Sequence, residues 1–419
     1  MNIYIINNPF HYEIENLTRA FFNNEKMNVI KCDKNVNREK PFVAIELIKH
    51  EKDSDIIVSF ADEDFEKTLS KKIDGEFDSE YSECERMAAI MLFEILSEYT
   101  GIRLPWGILT GVRPIKLLHN LVRELGPDGA DKYFREKLLV TEQKTKLALT
   151  TEKNERKILE LSKPDSFSLY ISVPFCPTRC SYCSFVSQSI EKAKKLVEPY
   201  LDLLCQEIKY TAEIAKELNL RLETVYIGGG TPTTFSAEQL TKLITAINAS
   251  FDMKKCREFT IEAGRPDTIT REKLEAILDG GCDRISINPQ TLNDEVLEAI
   301  GRRHTATQTL EAYKLAEEIG FKHINMDLIT GLPKDTPETF KYTLDTLCDL
   351  SPASITVHTL AMKRSSFLTL GGALVKTGAE PPAAIMMKYC EEKLPQFGYH
   401  PYYLYRQSRM EGNLENVGW

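Results

Sequence analysis

The sequence predicts an α/β protein in two parts, a smaller α+β domain followed by a series of strands wound with helices. Three observations predict it. After Ser166, six short β-branched runs alternate with helical stretches, the pattern of right-handed βαβ units in a parallel sheet. Before Lys163 the order is mixed instead, with a hairpin and then long helices. In the second part, chemically distinctive residues come just after the strands, where parallel α/β folds bind ligands.

The first part opens with a strand in "NIYIINN" and a helix in "YEIENLTRAFFNN". "PFVAIELIKH" and "SDIIVSFA" are apolar runs joined by the polar "EKDSD", a hairpin. "EYSECERMAAIMLFEILSEYTG" is an amphipathic helix closed by Gly101. "TGVRP" is a turn whose Pro114 opens the next helix. A charged helical region from Lys132 leads to the break at "KPDS". These signals place the N-terminal domain at 1–163 and a barrel or open sheet at 164–375, with a further region at 376–419.

The second part begins with strand one, "SLYISVPF". The strands "ETVYIGGG", "EFTIEA", "RISINPQ", "HINMDLITGLP" and "SITVHTL" follow, with amphipathic helices between them. An open sheet and a closed barrel fit this alternation equally well.

The chain has 419 residues, 27% of them charged, with a net charge of -9. That balance is ordinary for a globular protein and argues against general nucleic-acid binding. No run approaches the twenty apolar residues of a membrane helix. The N-terminus lacks the basic and apolar regions of a signal peptide. The location expected is the cytoplasm. Seven scattered cysteines, Cys32, Cys84, Cys205, Cys256, Cys282, Cys348 and Cys390, read as small packing residues rather than a disulfide framework.

Cys176, Cys180 and Cys183 are different. In "YISVPFCPTRCSYCSF" they share one loop after strand one. A structural zinc site takes four ligands, usually in two pairs, and no second pair lies nearby. Thiolates also hold iron–sulfur clusters. Three of them can grip three corners of a [4Fe-4S] cube and leave one iron open to a ligand. Pro177 stiffens the loop, and Tyr182 can shield one side of the cluster.

The C-x3-C-x2-C spacing, with an aromatic before the last cysteine, resembles the radical S-adenosylmethionine (SAM) superfamily. "YIGGGTPT", "RISINPQTLNDEVLEAIGRRHT" and "INMDLITGLP" resemble its oxygen-independent coproporphyrinogen III oxidase (dehydrogenase) family. "RISINPQT", "VHTLAMKRSS" and "GVRPIKLL" are most similar to the HemZ-type branch. The resemblance implies a partial, TIM-like (β/α)6 barrel behind the N-terminal α+β domain. It implies a [4Fe-4S] cluster on the three cysteines and one or two SAM molecules. By position it carries over Gly229, Gly230 and Thr231 as SAM contacts, with Glu262, Gln290, Arg302 and Asp327. Ile329 and Ala361 match contacts to adenine, and Tyr170 lies near the sulfonium as the catalytic residue. For Glu262 the plain alternative is a salt bridge with Arg284. Arg265, Arg303, Lys363 and Arg364 are candidates to meet substrate propionates, and Arg113 and Lys116 to close over the site.

The implied reaction is oxidative decarboxylation of two propionates of coproporphyrinogen III to vinyls, giving protoporphyrinogen IX. A reductant such as flavodoxin or ferredoxin would serve a monomeric enzyme. The chain departs from the best-known oxidase type at Phe185, where that type has a fourth cysteine, and the resemblance implies that 376–419 is only the start of a C-terminal region, cut short. Alternatives on the same fold are a heme chaperone and a methyltransferase acting on heme; a zinc protein is the non-enzymatic alternative.

Overall fold

The computed structural model describes residues 1–22, 25–33, 36–74, 77–361, 381–407 and 410–419. Lys363 and Arg364 lie outside the described residues. The chain forms two compact units. One holds Met1–Glu152 and Leu404–Glu415; the other holds 153–361, Ile385–Tyr403 and Asn416–Trp419.

The first unit is built on a five-stranded sheet. Its strands are β1 (Asn2–Ile6), β2 (Asn28–Cys32), β3 (Phe42–Lys49), β4 (Asp53–Ala61) and β5 (Glu66–Asp74), in the order β2-β1-β3-β4-β5. β1 runs parallel to both its neighbours, and β3, β4 and β5 form an antiparallel meander. Helices α1 (His11–Phe21) and α2 (Phe77–Thr100) contribute Ile14, Leu17, Phe93 and Leu96 to a core shared with Ile5, Val43, Ile56 and Val58. Sequence reasoning missed β2 and β5. Both are edge strands, and β5 carries Lys67, Lys71 and Lys72, a composition that deters edge pairing and hides the strand signal. Gly101, at φ +70°, ends α2, and Pro114 takes the first turn of α3 (Pro114–Lys132).

The returning segment is stitched into this unit by a buried ion pair. Glu415 accepts from the Lys144 ammonium at 2.5 Å and from the Trp106 indole at 2.6 Å. The Arg406 guanidinium lies 5.4 Å from the centre of the Trp106 ring. Helix α4 (Glu142–Leu159) carries the chain into the second unit.

There the strands are β6 (Ser166–Val173), β7 (Arg221–Gly229), β8 (Glu258–Glu262), β9 (Arg284–Ser286), β10 (His323–Thr330) and β11 (Ser354–Thr359). All six are parallel and neighbour one another in sequence order. The intervening helices are α5 (Val197–Glu217), α6 (Ala237–Ser250), α7 (Arg271–Asp279), α8 (Asp294–Ala299), α9 (Ala306–Ile319) and α10 (Pro337–Leu350). Successive right-handed crossovers without a reversal stack their helices on one face and curl the sheet. β6 does not pair with β11, whose free edge is taken by the antiparallel strand β12 (Asn416–Gly418). The sheet is therefore a curled half-barrel, not a closed one. Capping boxes at Ser236, Thr305 and Thr336 fix where α6, α9 and α10 begin.

Register explains what each face does. Ile171, Val225, Ile227, Phe259, Ile261, Ile285, Met326, Leu328, Ile355 and Val357 share one face and are buried. The opposite face carries Tyr170, Ser172, Tyr226, Thr260, Glu262, Ser286, Asn325, Asp327, Thr356 and His358. A parallel sheet covered on both sides would show continuous apolar runs. Period-two alternation in every strand means that the second face serves a polar purpose. Cys84, Cys282, Cys348 and Cys390 are buried packing residues, whereas Cys32, Cys205 and Cys256 are half-buried.

Candidate active site

The cysteine loop leaves β6 after Val173 and is closed at its base by a two-residue parallel pair, Phe175 with Gln188 and Cys176 with Ser189. Phe175 anchors it, buried edge-on against Tyr200 with ring centres 5.4 Å apart. The far side is pinned to the end of α8: Ser181 N–H donates to the Ile300 carbonyl at 3.0 Å, and the Thr178 hydroxyl to that of Gly301 at 2.9 Å. Cys183 N–H donates to the Cys180 carbonyl at 3.1 Å, which turns the loop back on itself. Burial pushes the Cys183 thiol up, and the neighbouring Cys180 and Cys176 thiols push the same way. The three thiols thus lie within one another's electrostatic reach.

The glycine turn after β7 lies against this loop. Gly230 N–H donates to the Val173 carbonyl at 2.8 Å and Thr231 N–H to that of Phe175 at 2.7 Å. A Cβ on Gly230 would stand 2.5 Å from the Phe175 carbonyl oxygen, and Gly229 adopts φ +105°. Both positions require glycine, one for close approach and one for its backbone angle. The Thr231 hydroxyl donates to the Cys176 sulfur at 3.6 Å.

Glu262 ends β8 on the polar face. Its partner is the Tyr226 hydroxyl, which donates to Oε1. Arg284 pairs instead with Glu258 at 3.4 Å, so the plain salt-bridge alternative for Glu262 is not realised. Burial raises the Glu262 pKa to about 7; Asp327 adds to the rise, while Tyr226 and His358 oppose it. Tyr170 stacks on Tyr226, with ring centres 5.9 Å apart and planes 11° from parallel, and it remains 59% exposed.

Asp327 lies further round the same face. Asn325 donates to it at 2.7 Å, and His358 Nε2 stands 3.7 Å away. Burial works to raise its pKa, but nearby His358, the Asn325 bond and nearby Thr356 outweigh burial and hold the carboxylate below its ordinary range. Asn325 is itself locked by Ser354 and Thr356, each at 2.9 Å. Two carboxylates on one face thus differ in protonation at neutral pH.

Gln290 bridges to β10, donating from its N–H to the Asp327 carbonyl at 2.9 Å. Its φ is +65°, unusual for a residue with a side chain, and its buried Oε1 has no hydrogen-bond partner. Strain and an unsatisfied buried acceptor are features that recur at functional positions. Arg302 is buried beside Tyr182 and Cys180, donates to the Asn288 carbonyl at 2.5 Å, and has an unpartnered Nε. Tyr182 packs on the apolar cluster of Val296, Leu297, Ile300 and Ile329. Ala361 is half-buried.

The structure corrects one substrate candidate. Arg265 is only 4% exposed and its fork is engaged, at 3.0 and 3.1 Å by Asp267 and at 3.1 Å by the Thr178 hydroxyl. It cannot also greet a propionate. Arg303 is exposed and paired with Glu191, and Arg113 and Lys116 are exposed on the first unit.

A family model described as the radical SAM superfamily matches residues 170–347. The oxygen-independent coproporphyrinogen-III oxidase-like protein HemZ of Bacillus subtilis is 39% identical over 345 residues, 81% of this chain and 68% of that one. The chain belongs to the HemZ-type branch of the radical SAM superfamily. The heme chaperone HemW of Bacillus subtilis is 35% identical over 261 residues, 60% of this chain and 66% of its own length. The solved coproporphyrinogen III oxidase HemN of Escherichia coli shares 27% identity over 58% of this chain and 56% of its own, with a TM-score of 0.48.

Membership in this superfamily implies a [4Fe-4S] cluster and SAM, and the residues present fit them. Among the described residues no three His, Cys, Asp or Glu side chains converge as one bound ion would require. A cube instead holds its thiolates apart on separate irons, which suits three neighbouring cysteines on one loop. Sequence reasoning about this radical SAM chain missed Tyr226, Asn325 and the true partners of Arg265. Tyr226 was legible in principle, because it stands two residues before Gly228 on the strand face that Glu262 shares. No helix among the described residues is long and apolar enough to cross a membrane.

Proposed function

We propose that this chain is an oxygen-independent coproporphyrinogen III dehydrogenase, a radical SAM oxidoreductase that converts two propionates to vinyls and yields protoporphyrinogen IX. The observation that carries the reading is the polar sheet face beside the cysteine loop, in a chain so similar to HemZ. Cys176, Cys180 and Cys183 would hold the cluster, and the site would take one or two SAM molecules. When bound, the cluster and SAM would supply the radical chemistry that takes a hydrogen atom from the propionate β-carbon. The substrate then loses CO2 and passes one electron to an acceptor as the vinyl double bond forms.

The chain's own residues bind and orient. Gly229, Gly230 and Thr231 offer backbone to the methionine end, and Arg302 its free Nε edge to the carboxylate. Glu262, aimed by Tyr226, accepts from the ammonium or ribose hydroxyls. Gln290 and Asp327 take the remaining polar groups, Ile329 and Ala361 border the adenine, and Tyr170 stands nearest the sulfonium. Holding these partners in one geometry is the protein's main contribution. We propose flavodoxin or ferredoxin as electron source, a monomeric state and a cytoplasmic location.

The similarity to HemW and the phenylalanine at position 185, 62% exposed, favour heme binding and transfer as the second reading. Anaerobic reconstitution followed by SAM, dithionite and coproporphyrinogen III separates the two. Vinyl porphyrin is the expected product. 5′-Deoxyadenosine without it, together with tight heme binding, would favour the chaperone; a methylated linear tetrapyrrole from heme would identify a methyltransferase.

A further inference from the structure

Arg265 is a buried cation that the proposed reaction leaves without a task. Its Nη1 lies 3.9 Å from the Cys180 sulfur and 3.3 Å from the Thr178 carbonyl oxygen, and its Nη2 meets the Thr178 hydroxyl. The other edge of the fork is held by both oxygens of Asp267. His304 Nδ1 stands 3.7 Å from the same carboxylate. Arg265 therefore grips Thr178, between the first two cysteines, at two atoms, and reaches Cys180 at its sulfur. It also directs a positive charge and an N–H at one cluster-ligating sulfur. Lysine would reproduce the charge but not the fork.

We infer that Arg265, oriented by Asp267, is a positioning residue that sets the reduction potential of the cluster held by Cys176, Cys180 and Cys183. The inference rests on the cofactor reading above. Hydrogen bonds to cluster sulfurs and nearby charge are the levers by which a protein tunes such a potential. Reduction adds an electron, so a cation beside Cys180 favours the reduced cluster. Asp267 is ionised, because nearby His304 and the two bonds from Arg265 outweigh burial and hold its pKa well below the usual range. The carboxylate lies on the far side of the guanidinium and partly offsets its charge.

The test is an anaerobic redox titration of the reconstituted chain, following the optical band and the reduced-state EPR signal, with iron and sulfide counted for each variant. Arg265→Gln leaves the carboxylate uncompensated and should lower the potential. Asp267→Asn leaves the guanidinium unopposed and should raise it. A shift of about tenfold in the reduced-to-oxidised ratio, or about 59 mV for one electron, is the size to look for in each direction. Arg265→Lys should stay near the parent potential. Opposite signs support the inference, since a loosened loop alone would not reverse sign between two partners of one ion pair. Shifts of the same sign, or unchanged potentials at full iron content, overturn it. If Arg265→Gln retains no iron, Asp267→Asn decides by itself: a rise supports the inference, and no change or a fall overturns it. If the parent chain binds no cluster, the cofactor reading fails instead.

Discussion

Tyr226→Phe should move the pH at which this chain binds SAM. The phenylalanine keeps the ring that stacks on Tyr170 and deletes only the hydroxyl that donates to Glu262. Glu262 already has a pKa of about 7, chiefly because of burial, and the Tyr226 bond is a restraining influence on that rise. A hydrogen bond to a charged group contributes about 1.5–3 kcal/mol, which corresponds to roughly one to two pH units. Without it the carboxyl should titrate one or more units higher. At pH 7 the ionised fraction would fall from about one half to about one in ten for a one-unit shift. SAM needs the ionised form if Glu262 accepts from its ammonium or ribose, so binding at pH 7 should weaken about fivefold. The assay is anaerobic equilibrium binding of SAM to reconstituted protein between pH 6 and 9.5. The parent and variant curves should converge at the alkaline end, and Glu262→Gln should be flat. Superimposable parent and Tyr226→Phe profiles would refute the reasoning.

Glu262→Gln should also stabilise the apo protein at neutral pH. The folded carboxyl holds its proton to about pH 7 while the unfolded one releases it near 4.5. The folded state thus binds more protons in this window, and the parent loses stability as pH rises through it. The melting temperature of the glutamine variant should match the parent below pH 4.5 and exceed it above pH 7, by the equivalent of about 3 kcal/mol at most. Gly230→Ala should lower both melting temperature and iron per chain, since its Cβ meets backbone atoms of Phe175 and Val173 at 2.5–2.9 Å that cannot yield separately. Overpacking of this kind costs about 1–3 kcal/mol. Gly111→Ala, with nothing within 4 Å of the added carbon, should change neither. Glu415→Ala breaks the buried pair with Lys144 and should destabilise the first unit by about 3–5 kcal/mol, read as an earlier thermal transition with iron content unchanged.

Local pattern carried much of this protein. The alternation of β-branched runs with amphipathic helices announces a parallel sheet because side-chain period is set within each segment. The cysteine loop is legible for the same reason, since three ligands within eight residues need no tertiary contact to be recognised. The edge strands β2 and β5 escaped because an edge needs little apolar surface and tolerates charge. Whether the second sheet closes was not in the residue pattern; only the family resemblance implied a partial barrel. Closure depends on β6 and β11, which lie at opposite ends of the series and do not pair with each other, β11 pairing with β12 instead. Partnership was equally hidden. Glu262 could pair with Arg284 or with Tyr226, and Arg265 could face solvent or grip Thr178, 87 residues earlier. Composition allows each alternative, and the neighbours supplied by packing decide: Arg284 is taken by Glu258 and Ser354, which leaves Glu262 to Tyr226. The residue types at the strand ends came from sequence alone. Their protonation, orientation and mutual contacts were decided by the fold, because burial and distance exist only once distant segments have packed.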